Sequence, residues 1–117
     1  MNNPLPGLPL IESPLFPRLM STLGLTAEEE RIGLDLFTKG YAVFDFPDPD
    51  IEARVERIKA SLEPLYGIDF NDLEADKTIG ERRIQDAWTF DADVHAIAIN
   101  PDVKALLGKL YGREAFP

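Results

Sequence analysis

Few side chains in this chain are of a type that does chemistry. His95 is the only histidine, and Asp93-Val94-His95 reads D-x-H. A non-haem iron centre takes two histidines and a carboxylate, so this stretch supplies one imidazole too few. A histidine-assisted serine triad would also have to use His95, and Ser13, Ser21 and Ser61 have no nucleophile-elbow context around them. Neither G-x-G-x-x-G nor G-x-x-x-x-G-K-S/T occurs, so the usual phosphate cradles are absent. There is no cysteine, which excludes disulfides, thiolate metal sites and cysteine nucleophiles together. Asp69, Asp72, Glu74 and Asp76 do not have the spacing of a calcium loop and read as a solvated loop. These residues support the assignment of no catalytic residue and no metal ligand.

One short run stands apart. Arg82, Arg83, Gln85 and Trp88 place two arginines and the only tryptophan within seven residues, a set able to line a pocket for an anionic ligand. In the plainer alternative Trp88 is core and the arginines neutralise nearby acids. Ile84, Trp88 and Phe90 fall on one side of an extended chain, with Arg83, Gln85 and Thr89 on the other. Asp86 interrupts the apolar side and needs a partner, for which Arg82 is the candidate.

The elements that would position such residues are organised around residues 25–46, LTAEEERIGLDLFTKGYAVFDF. Thr26 and Glu29 form a capping box, and Glu28, Glu29 and Glu30 set negative charge at the positive end of the helix dipole. Ile32, Leu36 and Phe37 share a face, and Lys39-Gly40 closes the helix. Residues 41–46 then read as a strand, with Val43 on one face and Ala42, Phe44 and Phe46 on the other. Both faces are largely apolar, which predicts a strand covered on both sides.

Before this unit, residues 4–17 hold five of the ten prolines among leucines and Phe16. This predicts an extended, polyproline-like arm over 1–24 that lies in a groove of its own body. Pro6-Gly7-Leu8-Pro9 and Pro14-Leu15-Phe16-Pro17 also fit P-x-x-P, but without the usual basic flank. After the strand, Asp48 and Pro49 open an amphipathic helix with Ile51, Val55, Ile58 and Leu62 on its apolar face, ended by Pro64 and Gly67. Asp91 caps a helix over 92–99. Asn100-Pro101 opens a last one carrying Val103, Leu106, Leu107 and Leu110, closed by Gly112.

Charge bounds the partners. With 21 acidic and 12 basic residues the net charge is −9, which repels phosphate backbones and gives no attraction to anionic membranes. The expectation is no nucleic acid, no membrane and a cytoplasmic location. At 117 residues the chain is one domain or a piece of one.

The order LTAEEE, FTKGYAVFDF, the helix over 50–62, RRIQDAW and INPDVKALLGKLYGREAFP resembles the N-terminal part of phytanoyl-CoA dioxygenase-like proteins. The most telling pieces are Lys39-Gly40-Tyr41-Ala42-Val43 after a helix, and Asn100-Pro101 opening a helix that runs into Leu110-Tyr111-Gly112-Arg113-Glu114. The resemblance covers residues 25–117 and implies an Fe(II)- and 2-oxoglutarate-dependent oxygenase built on a double-stranded β-helix. It implies an α+β fold, mostly helical with one or two short strands, and an incomplete domain over 25–117. That family's iron ligands, an H-x-D pair and a later histidine, find no counterpart here, so none is carried over. No cofactor is expected to bind this chain alone. Fe(II), 2-oxoglutarate and a small-molecule substrate are implied for a full-length member, with the missing C-terminal barrel portion as partner. The rival is a small acidic module that binds a protein partner.

Overall fold

A computed structural model describes residues 3–67, 69 and 84–115. Five α-helices are described: α1 (Phe16–Leu19), α2 (Ala27–Lys39), α3 (Ile51–Tyr66), α4 (Ala92–Ala98) and α5 (Pro101–Tyr111). Short 3₁₀ turns occupy Leu10–Glu12, Met20–Thr22 and Ala87–Thr89. Among the described residues there is no strand, so the predicted α+β class is wrong and the architecture is helical.

Residues divide into two compact units, one from the described parts of Met1–Pro47 and Pro101–Pro117, the other from Asp48–Asn100. The first is built on α2. The Thr26 hydroxyl accepts from the Glu29 amide at 3.2 Å, and the Glu29 carboxylate accepts from the Thr26 amide at 2.9 Å, so two free donors of the first turn are satisfied reciprocally. At the far end Gly40 takes φ 83°, a left-handed cap that L side chains avoid, and its amide bonds to the Leu36 carbonyl.

Residues 41–46 leave that cap without entering a sheet. Tyr41 is 62% and Val43 75% exposed, so the predicted strand covered on both faces is not there. The reason is physical. β-preferring side chains record a fit to a packed, paired surface rather than a backbone preference of their own. Among the described residues no neighbouring strand exists to take these amides. The stretch is held by Arg31, whose Nη2 donates to the Val43 carbonyl at 2.9 Å, and by Ala42, which packs against the core of the unit.

The core of this unit is Ile11, Phe16, Ile32, Leu106 and Leu110. Phe16 and Leu110 are fully buried, and Gly33 of α2 lets them close in: a Cβ there would meet Leu110 Cδ2 at 3.0 Å and Phe16 Cζ at 3.2 Å. The 3₁₀ turn Leu10–Glu12 packs against both α2 and α5. The proline-rich segment therefore folds into helical turns, where an extended path was predicted. Pro9 precedes the first turn and Pro17 lies in the first turn of α1, places where a missing amide breaks no bond. The leucines and Phe16 between the prolines decide the outcome by burial.

The second unit has a different basis. α3 and α4 pack together, and Leu62 is the one buried hydrophobic residue described in it. Asp91 caps α4, its carboxylate accepting from the Asp93 and Val94 amides at 2.9 Å each and from the Ser61 hydroxyl at 2.7 Å. Asp93 binds Arg54 at 3.1 Å and Arg57 at 2.8 Å, and Arg54 also binds Asp48 at 2.6 Å. Pro64 was predicted to end α3 but lies inside its last turn, and the helix ends at Gly67 in the left-handed region.

Candidate functional site

The segment singled out in the sequence is partly described. Arg82 and Arg83 lie outside the described residues. Gln85 sits exposed in a turn, and Asp86 takes φ 54°, a conformation that aspartate tolerates better than most L-residues. Ala87–Thr89 is a 3₁₀ turn, so the extended segment predicted through Trp88 is not formed there. The left-handed turn at Asp86 breaks the alternation on which that prediction rested.

Trp88 is 45% exposed and so is not core. Its ring stacks on His95 of α4, centroids 6.3 Å apart and planes 20° from parallel. With Phe90 and Asp91 these rings line an open hollow of about 340 Å³. His95 has no ligand set beside it: among the described residues no group of three His, Cys, Asp or Glu side chains converges. Asp93, the other half of D-x-H, is occupied. Hydrogen bonds from Arg57 and then Arg54 hold its carboxyl below the ordinary aspartate range. A carboxylate clamped by two guanidiniums is unsuited to a cation.

A larger cavity, about 640 Å³, lies wholly in the first unit. It is open on one side and falls within the size range of small-ligand sites. Its apolar walls come from Ile32 of α2, Phe44 and Pro47 of the following stretch, and Val103 and Leu106 of α5. Four carboxylates, Glu28, Glu29, Asp45 and Asp102, face one cation, Lys109. Glu29 is held below its usual range by the Thr26 amide first and by Lys109, 3.4 Å away. Glu28 is held down by its hydrogen bonds to Arg31. Asp45 is exposed and has no partner among the described residues.

Sequence reasoning missed this cavity. Glu28 and Glu29 were legible as helix-dipole acids, and Leu106 as part of a stripe. That they share one hollow follows from α2 and α5 coming together across some eighty residues, and no local pattern reports such a contact. Chemically the cavity offers apolar contact and negative charge. Its lining contains no histidine, serine or cysteine.

No protein-family model matches this chain, and neither a curated protein nor a solved structure matches it. No helix among the described residues is long and apolar enough to cross a membrane.

Proposed function

We propose that this chain is the N-terminal portion of a phytanoyl-CoA dioxygenase-like, Fe(II)- and 2-oxoglutarate-dependent oxygenase that hydroxylates a small molecule, and that it is catalytically silent alone. The observation that carries this reading is the motif pair of the sequence. In the structure, Lys39-Gly40 is the left-handed end of α2, and Pro101 begins the helix that runs to Tyr111 and Gly112. The two most telling pieces of the resemblance thus coincide with helix boundaries, where an identity of residue type has a backbone reason.

The residues present do not fit the iron such an enzyme requires. A two-histidine, one-carboxylate site cannot be made from His95 alone, and Asp93 beside it is paired with Arg54 and Arg57. No step of the reaction is therefore assigned to any residue of this chain.

The test is to express the gene from its first codon to its natural stop and assay oxygen- and iron-dependent consumption of 2-oxoglutarate. The expected result is turnover by the whole product and none by residues 1–117. A whole product that takes up neither iron nor 2-oxoglutarate would overturn the proposal. The exposure of Tyr41 and Val43, on a stretch with no sheet around it among the described residues, is what an incomplete domain leaves uncovered and favours the fragment over the rival, a small acidic module that binds a protein partner.

A further inference from the structure

We draw no further inference here: the strongest candidate, the 640 Å³ cavity walled by α2, α5 and residues 44–47 of the first unit, carries nothing, because Glu28 and Glu29 on its rim are already paired with Arg31 and Lys109 and nothing in the structure shows what covers its apolar walls.

Discussion

The two units solve the same problem with different forces. The first buries Leu10, Ile11, Phe16, Ile32, Leu106 and Leu110 and interleaves them through Gly33. The second buries Leu62 alone among its described hydrophobic residues and joins α3 to α4 through Asp48, Arg54, Arg57, Ser61, Asp91 and Asp93. Apolar burial does not respond to proton or modest salt concentration, whereas exposed ion pairs and carboxylate caps respond to both. The lesson concerns composition: in a chain that is 44% hydrophobic, the described residues still concentrate the fully buried apolar side chains in one unit and the ion pairs and carboxylate cap that join two helices in the other.

The comparison breaks most visibly at Phe16. Phe16→Ala removes a fully buried ring that lies 5.7 Å from the Phe37 ring, and should cost about 3–5 kcal/mol, measured by denaturant unfolding. The loss should appear in α2 and α5. If α3 and α4 lose as much hydrogen-exchange protection as α2 and α5, the division into two units is wrong. Gly33→Ala should also hurt despite alanine's better helix propensity, because its Cβ would press on Leu110 and Phe16. About 1 kcal/mol of destabilisation is expected after the propensity gain is set against the overpacking. A stabilised variant would show that the core has slack.

Smaller effects sharpen the second unit. Asp91→Ala removes the cap of α4 and its bond to Ser61, and should cost about 1 kcal/mol, read as lost protection in α4 with α2 unaffected. The pH response follows from the same groups. Asp91 is held down by the Val94 amide and Ser61, Asp93 by Arg57 and Arg54, and Asp48 by the Asp50 amide and Arg54. A carboxyl whose folded value lies below the ordinary 3.8 gives stability that is fully present above that value and lost as pH falls below it. Protection factors in α3 and α4 should therefore hold level from neutral pH to about pH 5 and decline below about pH 4. Glu29 in the first unit is depressed too, so α2 should weaken in the same direction, but less because its core remains.

Local rules carried the helices. The capping box of Thr26 and Glu29, the glycine at 40, the aspartate at 91 and the proline at 101 each act within a few residues, and each is where the sequence places it. What was not legible depends on distance. The strand predicted over 41–46 needed a partner that sequence alone cannot supply. The proline-rich arm looked extended because proline forbids much, yet Leu10, Ile11 and Phe16 gained more from the core than an open path offers. The Arg54–Asp93 link, like the cavity between α2 and α5, joins residues too far apart for periodicity to report.

The measurement that tests the central functional claim most directly is the coding sequence that follows the codon for Pro117. The oxygenase reading predicts that the frame runs on into a segment carrying H-x-D and, well beyond it, a further histidine. A stop codon directly after Pro117 would contradict it, since one histidine cannot complete the iron site.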